Sequence, residues 1–90
     1  MDFEWDAGKD AELLEGRGFG FADVLPMFAG DGVLLLDARR DYCEVRHRAI
    51  GRVSNDFYTV VLTFRGGSWR LITAWKSSRK ERMAWRRLFA

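Results

Sequence analysis

The stretch from Glu44 to Val53 sets charge against one side of an expected strand. With the two-residue alternation of extended chain, Glu44, Arg46, Arg48, Ile50 and Arg52 fall together, and Val45, His47, Ala49 and Val53 fall opposite. Guanidinium groups stay charged at every physiological pH, and their planar forks match the oxygens of a phosphate. Two more arginines follow, Arg65 in phase with Thr59, Val61 and Thr63, and Arg70 in phase with Ile72 and Ala74. Whether these join the face of Arg46 depends on strand register, which periodicity leaves open. The plainer alternative is that the arginines pair across strands with Glu44 and Asp56 or stand in water.

A second basic cluster, Arg79, Lys80, Arg82, Arg86 and Arg87, lies near the C-terminus. On a helix it is either a solvated face or, beside a basic sheet, one wall of a groove for a single-stranded nucleic-acid backbone. Trp69 and Trp75, six residues apart on one strand, read as sharing a face, where they either stack on bases or fill a core. His47 sits in the apolar set of its strand and is expected to be a partly buried structural residue. One Cys and one His without an acidic cluster provide no metal site. No phosphate-cradling glycine loop or nucleophile elbow is present, and no cofactor is expected.

These groups must be carried by a small body. Ninety residues with 48% apolar and 14% aromatic content suit one α+β domain, residues 1–90, with large burial per residue. The lone Cys43 excludes an intramolecular disulfide framework. The acidic, aromatic start and the lack of a long apolar run point to a cytoplasmic protein without a membrane span. The net charge of +2 hides a strong polarity. Residues 1–38 hold nine acidic against two basic side chains, and residues 39–90 hold thirteen basic against four acidic. Such asymmetry points the basic half at a polyanion.

The elements follow from local signals. Phe3 to Trp5 alternates as a short strand, and Asp6 caps a helix from Ala7 to Arg17 that stops at Gly16 or Gly18. A second short helix is expected around Ala22 to Phe28, and the run Val33 to Leu36 suits a buried strand. Asp37 to Tyr42 reads as loop. Glu44 to Val53, Phe57 to Arg65 and Ser68 to Trp75, the last two joined by Gly66-Gly67, read as an antiparallel meander. Ser78 and Glu81 have the spacing of a capping box that opens a last helix, with Trp85, Leu88 and Phe89 expected to dock on the sheet.

Seven ordered pieces of the chain together resemble the BrnT family of bacterial toxins. They are Phe3-x-Trp5-Asp6-x-x-Lys9, Gly18-x-x-Phe21, Asp37 with Asp41-Tyr42-x-Glu44-x-Arg46, Ile50-Gly51, Val60-Val61-x-Thr63-x-Arg65, Arg70 to Lys76, and Arg79-Lys80-Glu81-Arg82. The resemblance implies a RelE-like fold: an antiparallel sheet with two N-terminal helices and a C-terminal basic helix packed on it. It also implies a metal-independent endoribonuclease that halts translation. Its partners would be RNA and a DNA-binding BrnA-type antitoxin that neutralises it, in a toxin–antitoxin heterotetramer.

By position, the resemblance makes Arg46, Arg65, Lys76 and Arg79 candidates for stabilising the phosphate. Glu44 or Glu81 would accept a proton or position an arginine, with Glu81 grouped among the catalytic residues. Glu44, Arg48, Arg52, Arg70, Lys80 and Arg82 would bind RNA. The chain departs from the family pattern where Leu13, Gly16 and Arg17 replace Asn, Lys and His, and where Trp75 replaces Arg. Trp85 replaces a C-terminal Tyr, and an indole cannot exchange a proton as a phenol does. These departures raise a second reading, a catalytically weak relative that works by binding RNA or an antitoxin.

Overall fold

The computed structural model describes residues 2–39 and 43–89, so Asp41 and Tyr42 of the family motif lie outside the described residues. Strand β1 (Phe3–Trp5) leads to Asp6, whose carboxylate accepts the Lys9 backbone N–H at 2.9 Å and opens helix α1 (Ala7–Arg17). The helix closes where Gly18 donates its N–H to Leu14 O at 3.1 Å. Asp10 of α1 accepts the Phe21 N–H and Asp23 accepts the Gly20 N–H, each at 2.8 Å, so two carboxylates hold the start of α2 (Phe21–Val24). The α-helix then tightens into a 3₁₀ turn over Leu25–Ala29 instead of running to Phe28, because Pro26 has no N–H to continue the ladder.

Four further strands, β2 (Val33–Leu36), β3 (His47–Val53), β4 (Asp56–Arg65) and β5 (Ser68–Lys76), precede helix α3 (Arg79–Phe89). The strand order is β1-β5-β4-β3-β2. The meander β3 to β5 is antiparallel as expected and β2 extends it antiparallel to β3, but β1 lies parallel to β5, so the five-stranded sheet is mixed. The β4–β5 turn uses Gly66 and Gly67 at φ +55° and +85°, a left-handed pair that a two-residue hairpin requires.

Each face of the sheet has its own apolar cluster. On one face α1, α2 and the 3₁₀ turn bring Leu13, Phe21, Val24 and Met27 onto Ala49, Val60, Leu62 and Leu71. Phe21 is fully enclosed, and burying a side chain of this kind contributes about 1.5–3 kcal/mol. On the other face Trp85 of α3 covers Val33, Ile50 and Phe57. Trp85 meets Phe57 edge-on at 5.0 Å and donates its indole N–H to Asp31 O at 3.0 Å.

Three expectations about burial are corrected. The run Val33 to Leu36 is an edge strand in which only Val33 is buried, because β2 pairs with β3 on one side and has helical cover over one residue alone. Leu88 is 66% exposed and does not dock, while Phe89 only leans on Trp85 at 5.3 Å. The third correction lies in β5. Val61 pairs with Thr73, but the next residue, Leu62, pairs with Leu71, so Ile72 is an inserted residue. Trp69 therefore faces the α1 cluster and Trp75 faces α3, on opposite sides of the sheet.

Gly51 marks a close approach between sheet and 3₁₀ turn: a Cβ there would sit 2.8 Å from Met27 Cβ. Gly51→Ala is expected to destabilise the protein by about 1–3 kcal/mol, read as a lower urea midpoint at unchanged slope. An unchanged midpoint would show that the 3₁₀ turn gives way freely.

Candidate nucleic-acid interface

Register decides which arginines meet. Arg48 pairs with Val61, and Thr63, two residues along β4, pairs with Arg70, so Arg46, Arg48, Arg52, Arg65 and Arg70 all project from the face that carries α3. Trp85 and the helix cover only the Ile50–Phe57 end of that face. The end bearing Arg46, Arg48, Arg65 and Arg70 extends beyond it.

Carboxylates orient several of these groups. Glu44 accepts from Arg65 Nη2 at 2.7 Å and from Arg46 Nε at 3.1 Å, bridging β4 to the start of β3. The Arg65 and Arg46 hydrogen bonds hold the Glu44 carboxyl below its ordinary range, and Glu44 raises Arg65 in turn. Arg70 lies 3.9 Å from Glu4 of β1. Such exposed pairs contribute little to stability, but they keep long side chains above the sheet in defined positions.

Where the open end of the face meets the first turn of α3, a recess of about 390 Å³ opens, lined by Leu35, Arg39, Arg48, Trp75, Lys80 and Glu81 among others. The capping box is formed: Glu81 accepts the Ser78 N–H at 2.8 Å, and the Ser78 hydroxyl accepts the Glu81 N–H at 3.2 Å. The same Glu81 oxygen accepts the Trp75 indole N–H at 3.0 Å, and its other oxygen lies 3.5 Å from Arg48 Nη1. Beneath them the Thr59 and Ser77 hydroxyls pair at 2.8 Å. Burial pushes the Glu81 carboxyl up, but hydrogen bonds from the Ser78 backbone, Trp75, and the Ser78 and Thr59 hydroxyls outweigh it and leave it below its usual range.

Other expected residues are elsewhere. Lys76 pairs with Tyr58, which belongs to the α1 cluster, so the bulge at Ile72 sends Lys76 to the opposite face from Arg46, Arg48 and Arg65. Arg17 lies on that side too, donating to the Ala74 carbonyl. Arg52 is on the arginine face but at its far end, where its Nε donates to Ser54 O at 2.7 Å and its guanidinium stacks over Phe57. Arg86 lies over the same ring at 5.2 Å. Arg82 donates to Ser77 O at 2.7 Å and secures the helix start, while Arg79 is exposed in the first turn.

The sequence reading missed Arg39. Its guanidinium grips Asp37, whose side chain is fully buried, with two hydrogen bonds of 2.7 and 2.8 Å and lies 5.1 Å from the Trp75 ring centroid. The signal was the Asp-x-Arg spacing directly after an apolar run, which had been read only as loop.

His47 is half-buried with its ring 6.0 Å from Trp69, on the face away from the arginines, as the apolar phase of its strand implies. Among the described residues, no group of three or more His, Cys, Asp or Glu side chains lies together as a metal site would require. No helix among them is long and apolar enough to cross a membrane. Another cavity, of about 210 Å³ between Met27, Phe28 and Leu34, has no charged side chain in its lining.

The low Glu81 carboxyl makes stability pH-dependent. A carboxyl whose folded pKa lies below its unfolded value contributes its full stabilisation above that unfolded value and loses it as pH falls through the folded one. As pH falls below the ordinary glutamate value of 4.5, urea midpoints of wild-type protein are therefore expected to drop more steeply than those of Glu81→Gln. Parallel curves for the two proteins would contradict this assignment.

A family model described as the ribonuclease toxin BrnT of type II toxin–antitoxin systems matches residues 5–81. No curated protein matches the chain. The matched span runs from the end of β1 through β5 and stops at Glu81, so it contains the Glu44 bridge and all of the recess lining except Ala84, and excludes Arg82, Arg86 and Arg87. With 77 of its 90 residues so matched, the chain belongs to the BrnT family of ribonuclease toxins from type II toxin–antitoxin systems.

Proposed function

We propose that this protein is a metal-independent endoribonuclease, RelE-like in fold, that arrests translation by cleaving RNA and is neutralised by a BrnA-type antitoxin. The observation that carries this reading is the gathering of Arg46, Arg48, Arg65 and Arg70 from three strands on one open sheet face, with Arg48 entering the recess beside Lys80. Cleavage of RNA by transesterification needs no activated water: the ribose 2′-hydroxyl loses its proton to solvent and attacks the adjacent phosphorus, and the 5′-oxygen leaves with a proton from solvent, giving a 2′,3′-cyclic phosphate and a 5′-hydroxyl. The charge that builds on the phosphorane oxygens is stabilised by cations already aimed at it. Arg48 and Lys80 line the recess and are the groups assigned to that charge. Arg46, Arg65 and Arg70 hold the flanking backbone, which exchanges with Glu44 and Glu4 for the guanidiniums.

Induction of the isolated gene is expected to stop growth, and purified protein is expected to cut single-stranded RNA with the same rate in the presence of a chelator. Arg48→Ala is expected to lower kcat/KM by about 10²-fold and to restore growth. Lys76→Ala, on the other face, is expected to keep the cleavage rate within about twofold of wild type, since surface changes away from a site act weakly. Folded wild-type protein that neither cuts RNA nor stops growth would overturn the reading. RNA binding without cleavage would replace it with that of an interaction module.

A further inference from the structure

Glu81 occupies an unusual place for a carboxylate in a site of cations. One oxygen accepts two hydrogen bonds, from the Ser78 N–H and the Trp75 indole, which uses both of its lone pairs. The other faces Arg48 Nη1 at 3.5 Å. The side chain is 10% exposed, so the 2′-hydroxyl of a bound ribose has no open lone pair to approach except past the guanidinium. A general base must come within hydrogen-bond reach of the proton it removes, and here Arg48 stands in the way.

The groups that Glu81 touches are those that shape the recess. Arg48 extends from β3, its buried Nε makes no hydrogen bond among the described residues, and the Glu81 carboxylate lies in ion-pair contact with its fork, 3.5 Å from Nη1. Trp75 is fixed by its indole N–H, and Arg39 stacks on the ring so fixed. The capping box in turn fixes Glu81 on the first turn of α3.

The geometry points to Glu81 as a positioning residue that acts on RNA only through Arg48 and Trp75, locking the guanidinium and the indole as two rigid walls of the recess. This rests on the ribonuclease reading above. A misplacement of about 1 Å in a group that stabilises a transition state costs on the order of 10²-fold in rate, while binding of a long polyanion spread over several arginines changes little.

The test is a double-mutant cycle with Glu81→Gln and Arg48→Ala in the full chain, using a short single-stranded RNA. A glutamine carbonyl oxygen still accepts from Ser78 and Trp75, but its amide cannot hold a cation. Glu81→Gln is expected to lower kcat by about 10- to 100-fold with RNA affinity within about threefold of wild type. It is also expected to leave the Trp75 indole N–H resonance in place. The double variant is expected to be no slower than Arg48→Ala alone, because the two residues act as one unit. Losses that multiply, or an unchanged kcat in Glu81→Gln, would overturn the proposal.

A measurement on wild-type protein needs neither a folded variant nor catalysis: guanidinium rotation of Arg48, read by nitrogen NMR, is expected to be slow relative to that of exposed Arg87. A freely rotating Arg48 overturns the proposal by itself. A wild type that cuts no RNA but has a slow Arg48 overturns the ribonuclease reading and leaves the positioning of Arg48 standing.

Discussion

One inserted residue in β5 decides which side chains this sheet presents to which partner. Up to Leu71 the strand alternates in step with β4; past Ile72 it alternates in the opposite phase. Ala74 is thereby turned into the large cluster beneath α1, where a small side chain fits the close packing, and Trp75 is turned toward α3, where its indole finds the Glu81 carboxylate. An unbulged strand would bring Thr73 opposite Val60 in place of Ala74, turn Trp75 to the α1 face opposite Tyr58, and leave Glu81 without that donor. Bulges re-aim side chains at a local cost in ladder pairing, and here the cost is offset by a filled core on one face and a satisfied buried carboxylate on the other.

The same division organises charge. The acidic first third of the chain builds β1, α1 and α2, whose helices cover one face, and the basic remainder supplies the arginines on the other. Polarity along the sequence thus becomes polarity across the sheet. The carboxylates Glu4, Asp37, Glu44 and Glu81 on the basic face each stand against a guanidinium. None neutralises the group; each restricts how its arginine can move. Preorganisation of this kind lowers the cost of gathering several cations around one phosphodiester before the substrate arrives.

Local chemistry was the readable part of the sequence. The Asp6 cap, the Gly66-Gly67 turn and the Ser78–Glu81 box each depend on a few adjacent residues, and all three form as their residue types require. The phase of Arg46, Arg48 and Arg52 was readable for the same reason, and Arg65 and Arg70 joined them once register was known. What periodicity does not show is a shift of one residue, so Trp69 and Trp75, which read as sharing a face, lie on opposite faces. Nor does an apolar run disclose its cover. Val33 to Leu36 has the composition of a central strand and the position of an edge, because burial depends on what the rest of the chain brings over it. Leu88 fails to dock for a related reason: Trp85, flanked by Ala84 and Arg86, already fills the space between α3 and the Ile50–Phe57 end of the sheet.

That edge strand has a consequence for how the protein behaves in solution. Asp37 donates to Arg46 O at 2.8 Å, which fixes the ladder phase so that the backbone N–H and C=O of Leu34 and Leu36 turn outward, away from β3. Their side chains are more than half exposed as well. A margin that offers both unpaired amides and leucine is a template for extended peptide, and it has no lysine or proline within β2 to repel one. Colloidal behaviour of the isolated chain is therefore governed at this rim, the strand next to the one that carries Arg46 and Arg48, and crowding or prolonged storage acts there first.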